Sequence, residues 1–155
     1  MRIIVDADSM PARVREIVVK QADRRGVAAL FVANRRLPLP RSANVRAEVV
    51  DDADARIVEL AGNADLVVTH DIPLAAQVAD NGAVVITERG QRYTRANVRE
   101  RLSSRDFAMQ MRDAGLLSGQ GRPYGKKEVQ AFANAIDREL TAGSGREVDI
   151  DEENS

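Results

Sequence analysis

Short runs of apolar, mostly β-branched residues recur through the first half of the chain: Ile3–Val5, ALFV at 29–32, RAEVV at 46–50, DLVVT at 65–69 and AVVI at 83–86. Most of them are separated by segments whose apolar residues fall at helical spacing. After Val5 comes PARVREIVVKQADRRG, with Val14, Ile17, Val18 and Ala22 on one stripe, Pro11 in the first turn and Gly26 as the stop. ADARIVELAG follows the third run and IPLAAQVADNG the fourth, whereas the second is followed by the Pro-rich loop NRRLPLPRSAN. Strands with so few polar positions must be buried on both faces. Alternating with helices, they require a mostly parallel sheet covered on each side, a doubly wound α/β sandwich.

Beyond the fifth run the pattern changes to helices alone. Thr94 is placed to cap RANVRERL and Ser104 to cap RDFAMQMRDAG, while KKEVQAFANAIDREL sets Val129, Phe132, Ala133, Ile136 and Leu140 along one stripe. These helices are expected to pack back on the sheet, and the intervening LLSGQGRPYG to form a surface loop. At 155 residues the chain suits one core, assigned to residues 1–140. Residues 141–155 hold one arginine against five acids and almost nothing to bury, so they read as an acidic disordered tail. The net charge of −1 conceals this division, because residues 1–46 carry ten basic and four acidic residues.

With no cysteine there is neither a disulfide framework nor a thiolate metal site, which points to a reducing compartment. No window approaches the ~18 apolar residues of a membrane span. A cytoplasmic location without membrane contact is the expectation.

In open α/β sheets ligands bind beyond the carboxyl ends of the strands, so the residues just after each strand carry most information. The first run ends in Asp6 and Asp8, the second in Asn34, the third in Asp51, Asp52 and Asp54, the fourth in Asp71, and the fifth in Glu88 and Arg89. Carboxylates from at least three strands therefore share one edge. Such a cluster needs solvent or a cation to remain ionised, and a hard divalent ion, Mg²⁺ or Mn²⁺, takes oxygen ligands of this kind together with phosphate oxygens. Phosphodiester hydrolysis is the chemistry that such a site serves. Asp52, Asp65 and Asp80 fit helix caps or solvated charges better, and Asp8 and Asp54 fit either a cap or the site. His70, the one histidine, is expected to point away from Asp71 by strand alternation, and Ser9 to belong to the turn into the first helix.

No glycine-rich phosphate cradle occurs, which argues against a P-loop NTPase or a dinucleotide-dependent dehydrogenase. Arg35, Arg36 and Arg41 flank the loop after the second strand, and residues 89–105 carry six arginines, Arg89 and Arg92 among them, against Glu100. Both segments lie near the carboxyl edge and suit a phosphate backbone. Aromatic residues are few, so a base-stacking platform is not expected, and Tyr93 and Tyr124 are its only candidates.

Several motifs in order, VDADSMP, DLVVTHDIPLA, an RG pair followed by YT, RERLSSRDF and QAFANAIDREL, resemble the bacterial YaiI/YqxD family over nearly all of residues 1–140. That family is similar to PIN-like domains, and the resemblance implies a Rossmann-like three-layer sandwich with an acidic, metal-binding nuclease-type centre. Carried over by motif, Asp6 and Asp8 match the acids of the first strand, Asp54 the acid opening the middle helix and Asp71 the acid after the fourth strand. Asp51 fits the middle motif as well, and a glycine of the family pattern is missing before it.

The leading expectation is a Mg²⁺- or Mn²⁺-dependent nuclease acting on RNA or structured DNA, RNA being favoured. Asp6, Asp8, Asp54 and Asp71 are then metal ligands, with Asp6, Asp8 and Asp71 in the catalytic set and Arg35, Arg36, Arg89 and Arg92 contacting nucleic acid. A binding module with a residual acidic site is the alternative. A haloacid-dehalogenase-like phosphatase also opens with Asp-x-Asp, but needs a lysine late in the sheet, and the chain's lysines are Lys20, Lys126 and Lys127.

Overall fold

In the computed structural model, which describes residues 1–104 and 123–154 and side chains as far as Gly143, each of the five apolar runs forms a strand. They are β1 (Arg2–Asp6), β2 (Ala28–Ala33), β3 (Val45–Val49), β4 (Asp65–Val68) and β5 (Val84–Ile86). A sixth, β6 (Arg92–Tyr93), was not expected. It is two residues long and pairs antiparallel with β5 through a turn in which Gly90 N–H donates to Thr87 O at 2.9 Å. Gly90 has φ +82°, and a Cβ there would lie 2.6 Å from Ala131 O, so this turn and the close approach of the last helix both require glycine.

The strand order is β3-β2-β1-β4-β5-β6, parallel throughout except for β6. Helices α1 (Ala12–Arg25), α2 (Ala53–Leu60) and α3 (Ile72–Asp80) follow β1, β3 and β4, residues 98–104 form α4, and α5 spans Lys126–Asn154. One core lies between the sheet and α1 with α5, where Val14, Val18, Phe132 and Ile136 meet Ile3, Val5 and Phe31. The other lies under α2 and α3, where Ile57, Leu74 and Val78 meet Ile4, Val67 and Val85. The result is a Rossmann-like three-layer sandwich. Each fully buried side chain of this size contributes about 1.5–3 kcal/mol.

Local signals place the ends of the helices. Gly26 closes α1 in the left-handed region at φ +64°. Asp52 caps α2 by accepting from Ala55 N–H at 3.0 Å, as its position suggested. In α5 the buried stripe is Phe132, Ala135, Ile136, Glu139 and Leu140, with Val129 and Ala133 only half-buried. Glu139 is tolerated inside because Arg92 Nε donates to its Oε2 at 2.8 Å. Gly143 is also buried, against the Met1 side chain, so helical packing continues past residue 140. The helix expected over 105–115 and most of the loop after it lie outside the described residues.

Asp65 corrects the sequence reading. It is neither a cap nor a solvated charge: it is 5% exposed and takes both prongs of the Arg2 guanidinium, Nε to Oδ1 and Nη2 to Oδ2, each at 3.0 Å. The two residues are register partners on β1 and β4, a relation between distant segments that no local pattern reveals.

Candidate active site

The sheet's direction of winding reverses between β1 and β4, and at such a switch point the loops leave in opposite directions and open a crevice beyond the carboxyl ends. A cleft of about 320 Å³ lies there, lined by Asp6, Asp8, Ser9, Asn34, Asp51, Asp52, Ala53, Asp54, His70 and Asp71. Six of these residues are aspartates and none is lysine or arginine.

Asp6, the last residue of β1, is 5% exposed. Its Oδ2 accepts from Thr69 Oγ1 at 2.7 Å and from Ser9 Oγ at 2.9 Å. Ser9 thus belongs to the turn, as expected, and anchors the first acid. Thr69 is fully buried just past β4, and its Oγ1 also accepts from Asp71 N–H at 3.0 Å. One hydroxyl therefore ties the acid of β1 to the loop carrying the acid of β4, across the switch point. Asp71 caps α3, accepting from Leu74 N–H at 3.1 Å. Asp8 sits in a short 3₁₀ turn (Ala7–Ser9), accepts from Asn34 N–H at 2.6 Å and lies 3.8 Å from Arg35 Nε.

Asp54 enters from the first turn of α2 and lines the cleft together with Asp71. Partial desolvation raises its pKa above the ordinary aspartate value, and the negative charges of Asp6, Asp71 and Asp52 raise it further. The residue as a whole is exposed, so solvent screens much of this effect. Asp51 lines the same cleft from the loop before α2. The four aspartates carried over by motif, with Asp51, thus meet in one place. Among the described residues, however, no three acidic or histidine side chains already stand at metal-holding distance.

Two features were not legible in advance. His70 stands just past the end of β4 at Val68 and lines the same cleft as Asp71. Its Nδ1 lies 3.6 Å from Glu88 Oε2, a buried oxygen without a hydrogen-bond partner. Thr69 carries no signal in the sequence either, threonine being common in strands.

The arginines divide. Arg92 is paired with Glu139. Arg89 lies 5.7 Å above the Tyr124 ring, with Glu88 and Glu128 at 3.8 and 3.9 Å. Arg35 and Arg36 are exposed beside the cleft. Neither tyrosine offers a free ring face for a base: Tyr93 packs in the core, and Tyr124 lies beneath Arg89 with its hydroxyl donating to Glu88 O at 2.8 Å.

Fold and cleft together define a Rossmann-like α/β protein with an open, strongly acidic site at the switch point of its sheet. Residues 4–142 match the model of a family described as "Uncharacterized BCR, YaiI/YqxD family". The chain belongs to that family. It is similar to the UPF0178 protein of Desulfotalea psychrophila, 49% identical over 144 residues, covering 90% of this chain and 97% of the relative. Two further UPF0178 proteins, from Myxococcus xanthus and Psychromonas ingrahamii, are 45% and 44% identical over 91% and 90% of this chain and 95% of each relative. No solved structure matches. No helix among the described residues is long and apolar enough to cross a membrane.

Proposed function

We propose that this protein is a PIN-like, Mg²⁺- or Mn²⁺-dependent nuclease that hydrolyses phosphodiester bonds, with RNA as the favoured substrate. The observation that carries this reading is the convergence of six aspartates, buried Asp6 among them, on one cleft at the switch point whose lining holds no lysine or arginine. Carboxylates gathered in this way repel, and a cation among them relieves that repulsion where solvent is reduced, as at buried Asp6.

The donor set fits a hard divalent ion. Six of the lining side chains offer carboxylate oxygens against one imidazole, and Mg²⁺ keeps several waters and needs only one or two protein carboxylates, so a closed cage is not required. Asp6, Asp8, Asp54 and Asp71 would hold the ion, which would supply charge neutralisation for the phosphate and an acidified water. The chain's own residues do the rest. Ser9 and Thr69 fix the direction of Asp6, while Thr69 also holds the backbone of Asp71. Arg35 and Arg36, exposed at the margin, are better placed for a phosphate than Arg89, held over the Tyr124 ring, or Arg92, bound to Glu139; Arg35 lies 3.8 Å from Asp8 but its side chain is 76% exposed.

The test is hydrolysis of single-stranded RNA by the purified chain in Mn²⁺ and in Mg²⁺. Cleavage is expected, abolished by chelation and lowered at least ~100-fold in Asp6→Asn, the upper end of what loss of an outer-shell partner alone costs. No cleavage in either metal contradicts the reading.

A second reading, a binding module with a residual acidic site, draws on one specific observation. Asp8 is tied to Asn34 and near Arg35, and Asp71 is tied to Leu74, so part of the acid set already has partners. The phosphatase reading finds no support, because no lysine lines the cleft.

A further inference from the structure

The crossover from β2 to β3 has no helix. Residues 34–44 make it as an irregular loop, and Leu37 and Leu39 take the place of a helix against the sheet. They do so incompletely. A second groove, of about 370 Å³, remains between that loop and the end of the sheet. Phe31 lies at its floor and is register partner of Ala47, which is exposed on the edge strand. Val49, two residues on, is 51% exposed, the one large hydrophobic side chain so placed among the described residues.

This groove adjoins the acidic cleft. Asp8 and Asn34 line the cleft, while Arg35, next in sequence and 3.8 Å from Asp8, lines the groove together with Arg36. Glu48 at the groove's edge is engaged by Arg56 and so does not oppose an anion there. An apolar slot with two exposed guanidinium groups at its mouth, beside a site for a phosphate, has the pattern of a nucleotide: flat heterocycle inward, backbone outward. Arginine planes and aliphatic side chains can carry a base where aromatic rings are scarce. The volume lies near the lower end of ligand sites, ~300 Å³, and suits one base with its sugar, which reaches such a slot only when it is unpaired and out of the stack.

We propose that this groove receives the base of an unpaired nucleotide next to the phosphate held in the acidic cleft, so that the protein takes single-stranded rather than duplex nucleic acid. The inference rests on the nuclease reading for the position of the phosphate. It adds a base subsite and a strand preference.

The experiment is fluorescence anisotropy in Mn²⁺ with hydrolysis-resistant phosphorothioate RNA in three forms: a single strand, the same strand with abasic riboses, and the duplex. The wild-type chain is expected to bind the intact strand about tenfold more tightly than the abasic strand or the duplex, the scale of one seated base. Ala47→Ile narrows the groove at an exposed strand position without adding charge. It is expected to remove that advantage while leaving abasic binding and the calorimetric Mn²⁺ isotherm unchanged. Equal binding of intact and abasic strands, duplex binding as tight as single strand, or indifference to Ala47→Ile overturns the groove. Unmodified RNA cut with no regard to Ala47→Ile overturns the groove and spares the nuclease; no cutting, with base-dependent binding intact, does the reverse.

Discussion

The two ends of β1 and β4 each bury an aspartate to the same depth, Asp65 at one and Asp6 at the other, both 5% exposed, and treat the charge in opposite ways. At the amino end Asp65 has the Arg2 fork, and Gly62 N–H donates to its Oδ2 at 2.9 Å. At the carboxyl end Asp6 has only the hydroxyls of Ser9 and Thr69, has no ion-pair partner among the described residues, and faces further carboxylates. A buried carboxylate chosen for stability is given a cation. One left with hydroxyls and like charges costs stability, and such a site makes sense when its cation comes from outside the chain.

Breaking the amino end should have the largest effect on stability. Arg2→Ala leaves Asp65 without its cation and is expected to cost about 2 kcal/mol, below the ~3–5 of a fully buried pair because the Arg2 side chain is 40% exposed. Thermal denaturation should register this as a fall of ~4–8 °C, with the Mn²⁺ isotherm untouched. An unchanged Tm would mean that the two ends are not so different after all.

At the carboxyl end, Thr69→Val keeps the shape and removes the hydroxyl that joins Asp6 to Asp71. A loss of about 1–2 kcal/mol is expected from the two hydrogen bonds, with Mn²⁺ affinity reduced ~10–100-fold because both acids lose their orientation. A Tm loss with full affinity would reduce Thr69 to packing.

The smallest effect has the opposite sign. The Asp54 pKa is raised in the folded chain, so the folded state holds that proton more tightly than the unfolded one. Metal-free stability should therefore rise as pH falls from neutral through the ordinary aspartate range, where this contribution levels off. Asp54→Asn should flatten that rise and stabilise the metal-free protein at neutral pH. The gain should be a few tenths of a kcal/mol, since solvent screens this exposed residue. Destabilisation by Asp54→Asn would show that repulsion is not what the acids feel.

Much of this was legible in the sequence, for identifiable reasons. Strands and helices announce themselves through periods of two and 3.6 residues, and the carboxyl-edge rule then gathers Asp6, Asp8, Asp54 and Asp71 without any coordinates. What escaped depends on pairing between distant segments: the Arg2–Asp65 fork is set by register, β6 by a turn around Gly90, and Thr69 by contact across the switch point. The place of His70 in the cleft lining lay beyond the reach of alternation, which ends with its strand at Val68.

The most direct test of the central claim is calorimetric titration of Mn²⁺ into the wild-type chain, Asp6→Asn and Asp71→Asn. Binding that each substitution abolishes is the expected result, since acids from two strands would then share one ion. No binding by the wild type, or binding indifferent to both substitutions, would contradict it.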